Sequence, residues 1–543
     1  RWIPLLMSYD RYGRPRGSAG SLLINYSGFY AGSSWGYFGV EDRDLFDGKD
    51  PLLRKGLQRL ARFMVRAAYL RNLESDFASY APGSPVRLKV TFENRGPARQ
   101  DGSVLFRVLN GGKELMRKRV PVAAGSLDHA VAETSFTLPK TVAGLCHFTA
   151  TLSLGGETVD STESGFFAIS PQVARRGPTL RFRDNYFRYG DRALFLFGCD
   201  NYSNVYRSTT EGPLWWAREH AACRDYGFEL YENLQYNNPG HVMTEVDWRR
   251  FDGMTQSTQE HGLVFMPGLL IGHNVAVSDE RIREESRQCS EYAARYKEIP
   301  GLLWYINGDY ALRHEDMETL RAKWNAFLKQ RYGTDEKLKA TWAPEVPPAP
   351  LGALPFPPEN PGRWDSVSQI DLYRFHVHLM TEWNRAHVAA IRAHDAEHPI
   401  TSEYYSYPRR GIDLRLTIAG QDVSNIGYFD EPVRDLDYLP LRIRLNDVRV
   451  RGKSVSLGEY GVKTHPAWSL ENGARGYHIV RTEEEAKQLF MAVAHYTFGM
   501  GGSKVQNWCL RDSDQRVFPW GVFYPGPLIP KDIAYTHRNL SLL

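Results

Sequence analysis

The sequence lacks the features that identify several large classes of protein. It contains no run of about 18 apolar residues, so no segment is predicted to span a membrane. Its 67 basic and 63 acidic residues leave a net charge of only +4 on 543 residues, which gives no reason to expect a nucleic-acid partner. The five Cys show no spacing typical of zinc or of a disulfide framework. We therefore expect no metal and no cofactor.

What is present is typical of a globular protein, with 42% hydrophobic and 24% charged residues. A chain of 543 residues is too long for one core, so two or three domains are expected. Aromatic residues are abundant, at 13%. They are interpreted either as large aromatic cores or as surfaces on which sugars stack. The chain opens on Arg1 without a signal peptide and looks like a piece of a longer precursor. Its compartment stays open, with a periplasmic, a secreted and a cytoplasmic location all compatible.

The pattern of the chain changes twice, which predicts three parts. Residues 1–78 read as an N-terminal α/β segment, either the end of a preceding domain or a collar packed on the next one. Residues 79–172 alternate apolar and polar side chains, with Asn110-Gly111 and Gly155-Gly156 as hairpin turns, and predict an immunoglobulin-like β-sandwich. Residues 173–543 alternate strands with amphipathic helices, which is typical of a parallel sheet.

Eight strands can be counted in this last part, so we predict a (β/α)8 TIM barrel as the catalytic domain. The predicted strands are Ala193–Cys199, Phe228–Asn233, Leu263–Leu270, Leu302–Ile306, Pro399–Tyr404, Asp422–Tyr428, Ser454–Leu457 and Lys504–Leu510. In this fold the working groups lie at the carboxyl ends of the strands. Polar or acidic residues follow nearly all eight strands, and a hydrophobic core would not contain so many polar side chains.

Two of these strand ends carry acids in the same setting. The seventh strand stops at Gly458-Glu459, and the fourth ends on Asp309. A carboxylate that ends an apolar strand points into a cleft, and two such acids facing each other are what cleavage of a glycosidic bond requires. The sequence therefore predicts a glycoside hydrolase.

Two stretches resemble the barrel β-galactosidases of glycoside hydrolase family 42 and, more broadly, the retaining glycosidases of clan A. Trp304-Tyr-Ile-Asn-Gly-Asp-Tyr310 resembles that family's Trp-Gln-Ile-Asp-Asn-Glu-Tyr, and Leu457-Gly-Glu-Tyr460 resembles its nucleophile stretch. The resemblance extends over about residues 190–530. There are departures: Gly308-Asp309 replaces the family's Asn-Glu pair, the metal-binding cysteine cluster is absent, and a sandwich precedes the barrel. If the strand bulges, Asn307 takes the place of the missing Asn, which in the family binds the sugar 2-hydroxyl.

The resemblance implies a retaining double displacement, with Glu459 as nucleophile, Asp309 as general acid/base and Tyr428 beside the nucleophile. Each role has a structural alternative. Glu459 is also read as an ion-pair partner of Lys463, Asp309 as a helix N-cap and Tyr428 as a core residue. Glu403 is the reserve candidate for the acid.

Further polar and aromatic residues at strand ends are predicted to line a sugar site. The candidates are Asp200, Asn201, Glu232, Asn233, His273, Asn274, Asn307, Glu403, Tyr428, His465, Trp468, Trp508 and Trp520. Each alone is as readily explained by loop structure, but together they predict a carbohydrate substrate. A homo-oligomer stays open. Competing hypotheses are a non-catalytic carbohydrate-binding or scaffold protein on a decayed barrel, and a lyase or transglycosylase that uses the same cleft.

Overall fold

The computed structural model describes most of the chain. The described residues are 1–41, 46–201, 212–233, 242–271, 274–308, 311–312, 317–358, 365–403, 413–429, 438–464, 480–512, 519–524 and 528–543. Among them, no helix has both the length and the apolar composition needed to cross a bilayer.

The chain begins with a small sheet that packs on one helix. The antiparallel strands are β1 (Trp2–Tyr9), β2 (Pro15–Ile24) and β3 (Ser34–Phe38), and α1 (Pro51–Arg66) follows them. The Asp50 side chain caps α1 by accepting hydrogen bonds from two backbone N–H groups of its first turn. The apolar face of α1 then packs on the sheet through Leu60 and Met64, which join a small core with Leu22 and Ile24.

Two sheets, antiparallel except for one short parallel pair, follow and enclose a core of their own. The strands are β4 (Ala68–Ser75), β5 (Ser79–Tyr80), β6 (Pro85–Asn94), β7 (Gln100–Asn110), β8 (Lys113–Ala124), β9 (Asp128–Thr137), β10 (Gly144–Leu154) and β11 (Glu157–Ala168). One sheet has the order β4-β6-β9 and the other β5-β11-β10-β7-β8. The alternation seen in the sequence places Val86, Leu88, Val90 and Phe92 in the interior. The predicted turns at Asn110-Gly111 and Gly155-Gly156 are confirmed as hairpins. The first sheet takes in β4, which lies upstream of the predicted boundary at residue 79.

A short connection closes one end of the barrel. It comprises α2 (Pro171–Ala174) and the antiparallel sheet of β12 (Leu180–Arg183), β13 (Tyr186–Tyr189) and β14 (Arg192–Leu194). Leu180, Phe187 and Leu194 form one buried cluster with apolar side chains inside the barrel. This sheet therefore plugs the barrel at the amino ends of its strands.

The remaining residues form the barrel and the helices around it. Its strands, with the short pairs at its rim, are β15 (Leu196–Asn201), β16 (Leu230–Asn233), β17 (Val264–Pro267), β18 (Asn274–Val275), β19 (Trp304–Gly308), β20 (Ala311–Leu312), β21 (Ile400–Glu403), β22 (Val423–Phe429), β23 (Ser454–Gly461), β24 (Lys463–Thr464), β25 (Val480–Arg481) and β26 (Lys504–Asn507). The eight-stranded sheet has the order β17-β16-β15-β26-β23-β22-β21-β19, and its registered pairs are all parallel. Two parallel bridges, Phe265–Leu302 and Gly268–Tyr305, join β17 to β19 and close the ring. Each of the eight predicted strands is confirmed.

Helices cover the outside of the ring. They are α3 (Pro213–Asp225), α4 (Glu245–Glu260), α5 (Asp279–Tyr296), α6 (Met317–Tyr332), α7 (Asp335–Trp342), α8 (Val367–Arg392), α9 (Leu414–Thr417), α10 (Tyr438–Val450), α11 (Glu483–Gly499) and α12 (Asp532–Ser541). Thr244 and Thr482 begin α4 and α11 with capping boxes. Alternate strand residues such as Trp304 and Leu457 point outward into the same core as the helix residues Trp383 and Phe490. The residues between them on each strand face the barrel interior.

Candidate active site

Four neighbouring strands bring polar side chains to the carboxyl-end mouth of the barrel. In the order of the sheet these strands are β16, β15, β26 and β23, and they carry Glu232, Asp200, Gln506 and Glu459. Glu232 and Asp200 are opposite each other in the β15–β16 register, so they share a face. The four side chains form a continuous arc at the end of the barrel where the fold places working groups.

Gln506 joins two of these acids. Its Nε2 donates hydrogen bonds to Asp200 Oδ1 and to Glu232 Oε2. Its Oε1 accepts a hydrogen bond of 2.6 Å from Lys504 Nζ. All four side chains have 0% exposure. Two buried carboxylates are costly without donors and an opposite charge, and here the amide supplies the donors while Lys504 supplies the charge. Gln506 and Lys504 therefore hold Asp200 and Glu232 in place.

Glu459 faces the interior because β23 contains a bulge. The β22–β23 register pairs Ile426 with Leu457 and then Gly427 with Glu459, so Gly458 is an extra residue. Without it, Glu459 would share the outward face of Val455 and Leu457, which pack against the helices. Tyr460 points outward instead, onto Phe490 of α11, with 5.8 Å between ring centroids. Glu459 is half-buried at the barrel mouth.

Two tryptophans form a wall at the end of β23, where Glu459 lies. The rings of Trp508 and Trp520 lie 4.9 Å apart between centroids. The Trp508 backbone N–H donates to Tyr460 O at 2.6 Å, which ties the end of β26 to the residue after Glu459. A Cβ at Gly461 would lie 2.5 Å from Trp508 O and 3.0 Å from the Trp520 ring, so only glycine allows this approach. The structure thus places Trp508 and Trp520 against Tyr460 and Gly461, the two residues that follow Glu459.

The fourth strand is also irregular just before Asp309. The β19–β21 register pairs Tyr305 with Thr401 and then Gly308 with Glu403, so β19 holds one extra residue between these pairs. Asn307 is buried, and its Oδ1 accepts a hydrogen bond of 2.8 Å from the Gly308 backbone N–H. The bulge that would let Asn307 replace the missing Asn is therefore present.

Two of the predicted sugar-site residues point away from the mouth. Asn201 Nδ2 donates to Glu219 Oε2 at 2.7 Å and to the Tyr231 hydroxyl at 2.6 Å, so the amide contacts the layer of α3. Asn233 follows the inward Glu232 and is fully buried, and its amide atoms have no hydrogen-bond partner among the described residues. The structure does not bring these two residues to the arc, and alternation along the strand explains why.

Other predicted residues are described in part or not at all. Asp309, His273, His465 and Trp468 lie outside the described residues. For Asn274, Glu403 and Tyr428 the description covers the backbone only. Their strands β18, β21 and β22 end at the carboxyl-end mouth, and Tyr428 is opposite Tyr460 in the register.

Arg511 and Asp512, which follow β26, each make an ion pair. Arg511 Nε lies 2.7 Å from Glu219 Oε1, and Lys531 Nζ lies 2.9 Å from Asp512 Oδ1. Burial raises the pKa of Asp512 to about 6, against the charge of Lys531 and its hydrogen bond, which lower it. Within the part of the chain that is described, no group of three or more His, Cys, Asp or Glu is arranged to hold a metal ion.

Sequence reasoning missed Gln506, Lys504 and Tyr305. Lys504-Val-Gln-Asn507 alternates polar and apolar residues inside one of the predicted barrel strands. That alternation was the available signal, because a polar face on a buried barrel strand has to point into the barrel interior. Tyr305 gave no signal of its own between Trp304 and Ile306.

Comparison with known proteins agrees with the resemblance seen in the sequence. The family model described as β-galactosidase, glycoside hydrolase family 42, matches residues 268–476. The matched range begins directly after β17 and ends between β24 and β25, and it includes both Asp309 and Glu459. No curated protein matches the chain.

Several solved glycoside hydrolases have a remotely similar structure. A family 2 β-galacturonidase from Eisenbergiella tayi is 14% identical, with 88% of this chain and 72% of that chain covered and a TM-score of 0.42. β-Glucuronidase 2 from Bacteroides uniformis is 11% identical, with 87% and 51% covered and a TM-score of 0.44. The β-glucuronidase of Bifidobacterium dentium is 13% identical, with 88% and 67% covered and a TM-score of 0.41. Nothing about the substrate of this chain follows from likenesses of this size.

The family match supplies the enzyme class, and a closed ring of eight parallel strands holds the matched residues. The chain is a glycosidase whose barrel, over residues 268–476, resembles that of the β-galactosidases of glycoside hydrolase family 42.

Proposed function

We propose that this enzyme cleaves a β-glycosidic bond in an oligo- or polysaccharide by a retaining double displacement, with Glu459 as nucleophile and Asp309 as general acid/base. The observation that carries the proposal is the bulge at Gly458, which turns Glu459 into the barrel. A bulge disturbs the ladder of a buried strand, and bulges of this kind occur beside active sites because they re-aim a side chain.

The surroundings of Glu459 suit a nucleophile. A carboxylate has to be ionised to attack the anomeric carbon, and a half-buried position keeps it within reach of both substrate and solvent. Trp508 and Trp520 lie at its side, where the apolar face of a pyranose can stack. The covalent glycosyl-enzyme is then hydrolysed by water that Asp309 deprotonates.

Asp200 and Glu232 are proposed to bind sugar hydroxyl groups. A carboxylate accepts hydrogen bonds from hydroxyls, and Gln506 holds both acids rigidly on the same arc as Glu459. Rigid acceptors lose little entropy when the sugar binds, which favours affinity and correct orientation. The remaining candidates at the mouth are proposed to complete this sugar site: His273, Asn274, Asn307, Glu403, Tyr428, His465 and Trp468.

Asp309 is proposed as the acid/base because it directly follows β19, at the same end of the barrel as Glu459. Retention requires the two carboxyl groups about 5–5.5 Å apart, whereas inversion needs about 6.5–9.5 Å. Asp is one methylene shorter than Glu, so the strand before it has to carry the carboxyl closer to the sugar. The extra residue in β19 supplies backbone for that approach.

One set of assays tests the proposal. The chain is screened on aryl β-glycosides and on plant, algal and bacterial polysaccharides, and Glu459→Gln and Asp309→Asn are compared with Glu382→Gln, an exposed control on α8. We expect loss of at least about 10³-fold in kcat/KM for Glu459→Gln and wild-type activity for the control. Proton NMR of the first product should show the β-anomer. An inverted product, or a Glu459→Gln enzyme with full activity, would refute the mechanism.

The departure at Gly308-Asp309 is the one observation that favours a second candidate, a carbohydrate-binding protein on a barrel that has lost its chemistry. Such a protein would bind oligosaccharides in calorimetry without releasing reducing sugar, and its affinity would be insensitive to Glu459→Gln. The same set of variants therefore separates the two functions.

For the two sheets before the barrel we propose an immunoglobulin-like sandwich of residues 68–170, between the N-terminal segment and a barrel domain of residues 173–543. The separate apolar core and the confirmed hairpins support this division. We propose that the sandwich acts as a spacer or as a wall of the substrate cleft.

A further inference from the structure

Tyr305 lies inside the barrel on β19, four residues before the proposed acid/base Asp309. Its ring belongs to the interior cluster with Met266, Ile271 and Leu303, and the residue is 1% exposed. A buried Tyr needs a place for its hydroxyl, because a phenol is costly to bury without a polar neighbour. The position of this hydroxyl therefore shows which part of the barrel interior the side chain acts on.

The Tyr305 hydroxyl occupies the space of a side chain at residue 308. A Cβ built on Gly308 would lie 1.7 Å from the hydroxyl oxygen and 2.9 Å from the ring carbon that bears it. Gly308 is not in the left-handed region of backbone conformation, so its backbone does not require glycine. The Tyr305 hydroxyl is what requires glycine at residue 308, because no real Cβ approaches an oxygen so closely.

The backbone at Gly308 is thus held from two sides. Asn307 Oδ1 accepts the Gly308 N–H at 2.8 Å, and the Tyr305 hydroxyl fills the side-chain position of the same residue. Both contacts fall within the irregular part of β19, where the ladder to β21 is shifted by one residue. A bulged strand end with few ladder bonds needs such side-chain contacts to keep a single conformation.

We propose that Tyr305 is a positioning residue for the general acid/base: its hydroxyl, set in the place of the 308 side chain, fixes the peptide that leads into Asp309. This inference rests on the proposed function, since it assumes that Asp309 donates a proton to the leaving group. Without the hydroxyl, a space opens beside Gly308, and the strand end gains freedom. The carboxyl at 309 is then presented to the glycosidic oxygen less often in the right geometry.

Dependence on the leaving group distinguishes this role from a purely structural one. Protonation matters when the leaving group is a poor one, such as an alkyl or sugar alcohol, and hardly at all when it is an acidic phenol. A general loss of folded enzyme or of sugar binding lowers both rates by the same factor. A misplaced acid lowers the rate with the poor leaving group alone.

The test compares Tyr305→Phe with wild type on two glycosides of the same sugar, one with a dinitrophenyl and one with a methyl or sugar leaving group. We expect kcat/KM to fall at least about 10-fold for the poor leaving group and less than about 3-fold for dinitrophenyl. Tyr292→Phe is the matched control, because Tyr292 is a buried tyrosine of α5 whose hydroxyl contacts Met243 Sδ at 3.2 Å, away from the barrel mouth. It should leave the ratio of the two rates unchanged.

A second variant tests the contact itself. Gly308→Ala has to displace the Tyr305 hydroxyl, so in the wild-type background it should cost more activity on the poor leaving group than it costs in a Tyr305→Phe background. Additive effects of the two substitutions would overturn the proposed contact. Equal losses on both leaving groups in Tyr305→Phe would overturn the positioning role.

The outcomes separate this inference from the proposed function. If wild type hydrolyses both glycosides and Glu459→Gln hydrolyses neither, the proposed function stands, whatever Tyr305→Phe does. If wild type hydrolyses no β-glycoside in the panel, the function fails first, and the inference falls with it.

Discussion

Replacing Gln506 with Leu tests whether one amide holds the two acids of the site. Leu is close to Gln in size but lacks its amide, so the variant removes the hydrogen bonds to Asp200 and Glu232 without opening a large cavity. A hydrogen bond to a charged group contributes about 1.5–3 kcal/mol, so losing two destabilises the fold by about 3–6 kcal/mol. That is a large part of the 5–15 kcal/mol typical of a folded domain.

Gln421→Leu is the matched control. Gln421 is also buried, and its Nε2 also donates two hydrogen bonds, but to the neutral acceptors Asn384 Oδ1 and Ser402 Oγ. Neutral hydrogen bonds contribute about 0.5–1.5 kcal/mol each, so this variant should lose about 1–3 kcal/mol. The difference between the two variants measures the charge on Asp200 and Glu232.

Urea denaturation followed by tryptophan fluorescence gives the free energy of unfolding of the barrel. We expect Gln506→Leu to be less stable than Gln421→Leu by about 2–3 kcal/mol at pH 7. Equal stabilities at pH 7 would refute the idea that Gln506 bridges two ionised acids.

Two further predictions concern Asp512 and Gly461. Burial raises the pKa of Asp512 from 3.8 to about 6, so the unfolded chain releases this proton at a lower pH than the folded protein does. The contribution of Asp512 to the free energy of unfolding is therefore complete below pH 4, and it falls by up to about 3 kcal/mol as the pH rises past 6. The free energy of unfolding of wild type minus that of Asp512→Asn should fall by this amount between pH 4 and pH 7 in urea titrations, and parallel curves would contradict the assignment. Gly461→Ala should destabilise the fold by about 1–3 kcal/mol, shift the tryptophan emission and lower kcat/KM, because its Cβ would press on Trp508 and Trp520. Gly499→Ala, which meets nothing within 4 Å, should leave all three quantities unchanged.

The number and order of the strands could be predicted from the sequence because each strand is specified by a local pattern of residues. Each barrel strand is a short apolar run between turn residues, and each helix carries an apolar stripe, so their number and order need no long-range information. The same holds for the hairpins at Asn110-Gly111 and Gly155-Gly156, in the sheets before the barrel. The stretch around Glu459 was also visible, because an acid between glycines at the end of an apolar strand is rare in a core.

Whether a side chain at a strand end points into the barrel or towards the helices could not be predicted in the same way. Simple alternation from Val455 and Leu457 would send Glu459 outward, and only the register against β22 shows that Gly458 is an extra residue. The same limit applies to Asn201, which stands next to Asp200 in sequence yet contacts Glu219 in the helix layer. A strand places neighbouring residues on opposite faces, so adjacency in sequence does not mean a shared site.

The sequence by itself determined the parallel barrel, the count of its strands and the class of reaction, since periodicity and turn residues act locally. The tertiary structure alone decided which polar groups meet. Gln506 bonds Asp200 and Glu232 across 306 and 274 residues of chain, and the Tyr305 hydroxyl takes the space above Gly308. Such contacts depend on closure of the ring and on the shift of register at two bulges, and no local pattern encodes either.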